Sequence, residues 1–276
     1  MHSQFKFHTM KELNIKESQK ILLEIAKEFH RICQKHNIPY YMIGGTMLGA
    51  IRHKGFIPWD DDMDFGIMRK DYETFKNACK KEFPPYYKFL HIDNSSYAIL
   101  GINKIVDTRT KSTEIYSIKS DETIGLYIDV FVLESTDSHF HLFSLNKRAR
   151  YAFKLQKLLF INPKNRPLCK KMLAKFATML IPLNKSTLIK YISGKYKKKG
   201  NNIKNTHVFN WAGAYGYKEL IPKTLLGKPT LYQFEDIQLY GPEHYDKYLK
   251  HFYNNYMQLP SVESRHTHFN NVRIND

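Results

Sequence analysis

The chain has 276 residues, 42% of them apolar or aromatic, and carries 43 Lys or Arg against 26 Asp or Glu, a formal charge of +17. That length suits one large domain or two modest ones, and the absence of any run of 18 apolar residues excludes a membrane-crossing helix. No apolar segment follows Met1, so no secretory signal is expected, and three distant cysteines (Cys33, Cys79, Cys169) argue for a reducing, cytoplasmic setting rather than a disulfide framework or a cysteine zinc site.

Taken in chain order, residues Lys11 to Gln34 read as a helix with Leu22, Ile25, Phe29, Ile32 and Cys33 on one face. Tyr40 to Ile43 reads as a short buried strand, and Thr46 to His53 as a helix capped by Thr46. Ile57 to Ile67 is expected to contain the acidic strand, and Lys70 to Lys81 reads as a helix stopped by Pro84-Pro85. Strands are expected at Lys88–Ile92, Ala98–Val106, Thr113–Tyr116 and Leu126–Leu133. This alternation predicts a mixed α/β (α+β) sheet domain over residues 1–137. A basic helical region, 138–206, and a C-terminal region, 207–276, follow, the latter with a strand at Val208–Trp211 and a helix at His244–Tyr256.

The densest chemistry lies between Tyr41 and Phe65. Gly44-Gly45 leads into a helix, where backbone N–H groups and the positive helix end can meet phosphate oxygens. In Trp59-Asp60-Asp61-Asp62-Met63-Asp64-Phe65, strand parity would put Asp62 and Asp64 on one face about 6–7 Å apart. Carboxylates that close repel unless a cation lies between them, and Mg²⁺ (or Mn²⁺) is held by such a pair together with substrate phosphates. Asp129, in the apolar run Leu126–Leu133, is the best third ligand, although a Lys or Arg partner would also satisfy a buried carboxylate there. Asp60 and Asp61 are expected outside the ligand set or exposed, Asp60 sharing the parity of the pair. Thr46, Arg52, Lys54, Lys104 and Arg109 are candidate substrate contacts, Arg52 the best placed among the basic ones. Trp59, Tyr127 and Trp211 stand where an aromatic could face a cationic head group, and His266 and His268 read as part of a polar C-terminus.

The block Gly45-Thr46-Met47-Leu48-Gly49-Ala50-Ile51-Arg52-His53-Lys54-Gly55-Phe56-Ile57-Pro58-Trp59-Asp60-Asp61-Asp62-Met63-Asp64 resembles the signature of the LicD family of cholinephosphotransferases, which also includes fukutin-related protein. The resemblance continues in Lys104–Thr110, Tyr127–Phe131, Phe234–Ile237, Tyr245–Leu249 and Tyr253–Pro260, and has no counterpart over residues 140–205. It implies a nucleotidyltransferase-like fold, with Asp62, Asp64 and Asp129 as metal ligands and catalytic residues. It also implies transfer of a phospho-alcohol from a CDP-activated donor, typically CDP-choline, to a sugar hydroxyl of a cell-surface glycan such as lipopolysaccharide or teichoic acid. CDP-ribitol, CDP-glycerol or an NTP would suit the same residues, and a non-catalytic basic glycan- or membrane-binding protein is the reading from another class.

Charge is uneven. From Ser138 to Lys218 there is no Asp or Glu and there are 18 Lys or Arg, leaving 25 basic and 26 acidic residues elsewhere. No nucleic-acid module accompanies that block, so nucleic acid is not an expected partner. An anionic membrane surface at the inner face of the cytoplasmic membrane, near a lipid-linked acceptor, is the favoured partner over a merely solvated face.

Overall fold

A computed structural model describes residues 10–91, 93–95, 102–114, 124–136, 172, 205–210, 212–265, 267 and 269–275. The elements are β1 (Met10–Glu12), α1 (Ile15–Lys35), β2 (Tyr40–Met42), α2 (Gly44–Arg52), β3 (Asp64–Met68), α3 (Arg69–Glu82), β4 (Tyr87–Leu90), β5 (Asn103–Asp107), β6 (Thr110–Glu114) and β7 (Tyr127–Thr136). After the basic block come β8 (His207–Phe209), β9 (Leu220–Pro222), α4 (Lys223–Leu226), β10 (Pro229–Phe234), β11 (Ile237–Pro242), α5 (Tyr245–Tyr253) and β12 (Phe269–Asn275). The fold is mixed α+β, as the alternation predicts.

α1 starts at Ile15, four residues later than its periodicity suggests, because Asn14 caps it. The Glu17 N–H donates to Asn14 Oδ1 at 3.0 Å and the Asn14 N–H to Glu17 Oε2 at 2.9 Å, a reciprocal capping box. The expected apolar face is the buried one: Leu22, Ile25, Phe29, Ile32 and Cys33 are at most 1% exposed. Each such side chain contributes roughly 1.5–3 kcal/mol relative to exposure. Phe29 is the hub, its ring centroid 4.7 Å from Tyr40, 4.6 Å from Phe65 and 5.4 Å from Phe75. α1 and α3 thus cover one face of the central sheet.

That sheet runs β2-β3-β7-β5-β4, with β8 added to the far end of β7 and β9 to β8. β3 and β7 are parallel and the other neighbours along this path antiparallel. Alternation along β3 sends Phe65 and Ile67 into the core beneath the helices, so Asp64 and Gly66 face the other side. Thr136 of β7 is the register partner of His207 of β8, so the strands on either side of residues 137–206 are paired neighbours. A hairpin, β10-β11, and the strands β1-β12-β6 complete the architecture.

Several expected elements are corrected. The acidic segment is a strand only from Asp64, because residues 57–63 form turns and irregular backbone; Asp62 therefore precedes β3 instead of alternating within it. α2 begins at Gly44, with Ile43 at the cap position and no side-chain cap, so Thr46 is already inside the first turn. Pro84-Pro85 follow α3 as expected, and β10, β11 and α4 lie where the sequence reading named no element. The basic helices expected between residues 140 and 192, together with Ala98–Gly101, Cys169, Trp211, His266 and His268, lie outside the described residues, apart from Met172.

Candidate active site

At the ends where β3 and β7 begin, the register sets Asp64 opposite Asp129 and Asp129 opposite Lys104 of β5. Three ionisable side chains thus form a row across three adjacent strands, on the face away from α1. Lys104 Nζ donates to Asp129 Oδ1 at 2.9 Å and sits 3.3 Å from the centroid of the Tyr127 ring. The cationic partner that the sequence left open for Asp129 is therefore present. It also ties down Lys104 and takes the Tyr127 face.

The acidic segment is strapped to the start of α2. The Asp64 N–H donates to Thr46 Oγ1 at 2.7 Å, and the Ile43 N–H to the Asp64 carbonyl at 3.1 Å. Thr46 is 4% exposed, so its hydroxyl is a structural acceptor that positions Asp64. Glycine is needed at the helix start for space as well as conformation. Gly44 has φ +55°, and a Cβ there would stand 2.9 Å from Asp64 Oδ2; one on Gly45 would stand 3.0 Å from Asp60 Oδ2. Two carboxylates therefore abut the first turn of a nine-residue helix, whose N–H groups lack intrahelical acceptors.

These groups open on a cavity of about 280 Å³ lined by Gly44, Gly45, Asp60, Asp62 and Asp64. Phe131, Tyr215, Glu219, Tyr248, Phe252 and Tyr253 line it as well. Among the described residues no Lys or Arg lines it. Burial, then the negative charges of Asp62, Asp129 and Asp60, push the Asp64 carboxyl well above the usual carboxylate range, and Lys104 opposes this only in part. Asp61, by contrast, is 4% exposed and is not among the lining residues.

The residues fit a hard divalent cation in one particular way. Among the described residues no three Asp, Glu, His or Cys side chains form a ready-made metal cage. Two carboxylates beside an open cavity instead match a Mg²⁺ site that substrate phosphates complete. Asp62 and Asp64 are placed to supply them, with Asp129 next to Asp64 in register.

Other expected contacts lie elsewhere. Arg52 Nη1 donates to the carbonyls of Tyr256 at 2.9 Å and Gln258 at 3.5 Å, fastening α2 to the segment after α5 rather than lining the cavity. Arg109 pairs with Asp107, and Trp59 lies under the Arg265 guanidinium at 4.2 Å. Conversely, the aromatic wall and Glu219 went unread. Glu219 had one sequence signal, being the first acidic residue after the acid-free stretch from Ser138 to Lys218.

The loop carrying Glu219 is held from both sides. The Ala212 N–H donates to Asn210 Oδ1 at 3.2 Å, and His251 of α5 contacts the Lys218 carbonyl through Nε2 at 2.7 Å. The Gly44 N–H donates to Tyr248 Oη at 3.3 Å, joining α5 to the glycine turn.

Comparison with known proteins places the chain in a family. The family described as "LicD/FKTN/FKRP, nucleotidyltransferase domain" matches residues 37–174, half of the chain. The lipopolysaccharide cholinephosphotransferase LicD of Haemophilus influenzae is 28% identical over 264 residues, 94% of this chain and 97% of that one. The ribitol 5-phosphate transferase FKRP of Homo sapiens is 40% identical over 50 residues, 18% of this chain and 10% of that protein. The ribitol-5-phosphate transferase FKTN of Macaca fascicularis is 29% identical over 93 residues, 32% of this chain and 19% of its own length. With the matched region spanning both strands of the carboxylate row, the chain belongs to the LicD family and is a transferase of that family.

Proposed function

We propose that this protein transfers phosphocholine from CDP-choline to a sugar hydroxyl of a glycan, with Mg²⁺ or Mn²⁺ held by Asp62 and Asp64 and supported by Asp129. The observation that carries the reading is the cavity itself: a glycine-started helix end and three aspartates, with no Lys or Arg among the described lining residues. A pyrophosphate donor could enter such an anionic site only with cations, and the full-length similarity to a lipopolysaccharide cholinephosphotransferase supports the choice of donor. When bound, the ion would neutralise phosphate oxygens and polarise the attacking hydroxyl. The first-turn N–H group of α2 at Gly45 is suited to the remaining phosphate charge. A carboxylate of the cluster accepts the acceptor hydroxyl's proton. The acceptor oxygen bonds to the choline-bearing phosphorus as the bond to the CMP oxygen breaks.

The test is CMP release from CDP-choline, CDP-ribitol and CDP-glycerol with and without Mg²⁺. Release is expected from CDP-choline, and only with metal. Asp62→Asn should lower it about 100-fold or more, a loss of roughly 3 kcal/mol or more of transition-state stabilisation, while the circular dichroism melt stays in place. Undiminished release in that variant would remove Asp62 from the mechanism, and release from another donor alone would change the substrate.

We infer as well that the 18 basic residues between Ser138 and Lys218 rest on an anionic membrane surface at the cytoplasmic face, near a lipid-linked acceptor. Among the described residues no helix is long and apolar enough to cross a membrane. Co-sedimentation with anionic but not neutral liposomes is expected; equal sedimentation with both would sink the idea.

A further inference from the structure

The wall facing the aspartates has features that phosphate and metal chemistry leave unused. Tyr215 of the cavity lining lies 5.3 Å from Phe252 and 5.7 Å from Tyr253, the latter pair nearly perpendicular at 86°, so the three rings make a corner. Glu219 lines the same cavity and is 8% exposed. Its Oε1 accepts from the Tyr215 N–H at 3.1 Å, and no Lys or Arg among the described residues pairs with it. Its carboxyl lies against Gly213, where a Cβ would come within 2.1 Å of it, so the chain keeps a glycine there to seat the carboxyl.

A buried carboxylate without a counter-ion is costly, and a cation entering the cavity would remove that cost. A second hard metal ion is a poor candidate, because one carboxylate among ring faces supplies few of the oxygens it needs. A neutral polyol would need donors and acceptors that ring faces lack. A quaternary ammonium suits the surroundings: it forms no hydrogen bonds, is attracted to aromatic faces and is balanced by a single carboxylate.

We propose that Tyr215, Phe252, Tyr253 and Glu219 form a quaternary-ammonium subsite that selects a trimethylammonium head group over a neutral polyol in the transferred group. The subsite rests on the phosphocholine reading for the identity of that group. It stands within electrostatic reach of the phosphate end: Asp64 and Asp60 both disfavour ionisation of Tyr215, and Asp64 that of Tyr253. A two-carbon link between phosphorus and nitrogen demands such proximity.

The experiment is calorimetric titration of the full chain with choline chloride and, separately, with its uncharged isostere 3,3-dimethylbutan-1-ol. Choline should bind at least about 10-fold more tightly, 1.4 kcal/mol. Glu219→Gln and Tyr253→Leu should each weaken choline about 10-fold, while Tyr253→Phe keeps the ring and the affinity, and coincident melts identify folded variants. Equal affinity for the two probes, or choline affinity unmoved in both Glu219→Gln and Tyr253→Leu, overturns the subsite. Choline selectivity without CMP release from any CDP-alcohol supports the subsite and overturns the transfer reading. Metal-dependent release with equal kcat/KM for CDP-choline and CDP-ribitol overturns the subsite and leaves transfer standing.

Discussion

Replacing Glu219 with Gln should make the protein more stable at pH 8, although it removes a charge from the cavity. Burial raises the Glu219 carboxyl from its ordinary value of 4.5 to about 7, and the Tyr215 N–H offsets this only in part. An acid whose folded pKa lies above its unfolded one is most destabilising where both states are ionised. The penalty is absent well below pH 4.5, grows as pH rises and is complete above about pH 7. At 1.36 kcal/mol per pH unit the full penalty is about 3 kcal/mol, falling below about 1 kcal/mol at pH 5. The neutral amide keeps the shape beside Gly213 and can still accept from the Tyr215 N–H, but must itself be desolvated. A gain of about 1–3 kcal/mol at pH 8 follows. Urea unfolding of both proteins at pH 5 and pH 8 measures it through the midpoints at equal slope. A gain at pH 8 that shrinks toward pH 5 is expected, and saturating choline should close the gap at pH 8 by stabilising only the carboxylate form. A Gln variant no more stable than the parent at pH 8 would refute the claim that Glu219 is buried without a counter-charge.

Other substitutions address the frame around the cavity. Arg69 and Glu134 form a buried ion pair, with Nε 2.9 Å and 3.1 Å from the two carboxylate oxygens, and their side chains are 9% and 2% exposed. Glu134→Ala should cost roughly 3–5 kcal/mol in denaturant unfolding; a loss under about 1 kcal/mol would show that water reaches the pair. Gly49→Ala would place a Cβ 2.4 Å from the Gly55 carbonyl, backbone against backbone. A cost of about 1–3 kcal/mol and reduced metal-dependent CMP release are expected, because the turn leading to Asp60 must shift; a parental melt and rate would contradict this. Lys104→Met deprives Asp129 of its ammonium, and should destabilise the metal-free protein by roughly 3–5 kcal/mol. Mg²⁺ should then raise the melting temperature of this variant more than that of the parent, and an equal rise in both would separate Asp129 from the ion.

What the sequence revealed and what it hid divide along a physical line. Local periodicity and turn chemistry placed α1, the glycine turn and the apolar run around Asp129, because each depends on residues close in the chain. The parity argument for Asp62 and Asp64 grouped them at one site for a partly mistaken reason. The backbone before Asp64 is irregular, and the two share the cavity because Thr46 and the glycines hold that segment against α2. Arg52 shows the opposite failure. Its position one turn past the glycines suggested phosphate, but its direction is set by the Tyr256 and Gln258 carbonyls, over 200 positions away. The aromatic corner was invisible for the same reason: among 37 Tyr and Phe residues, only the docking of α5 against the loop at residues 210–219 singles out Tyr215, Phe252 and Tyr253.

The ladder contact between Thr136 and His207 reaches beyond the site. Thr136 and His207 face each other on one rung, so the chain enters and leaves the 70 residues 137–206 at one place on the sheet. Because those ends sit side by side, a change of length or charge between them is compatible with the same pairing of the strand that carries Asp129 and the strand that leads toward Glu219.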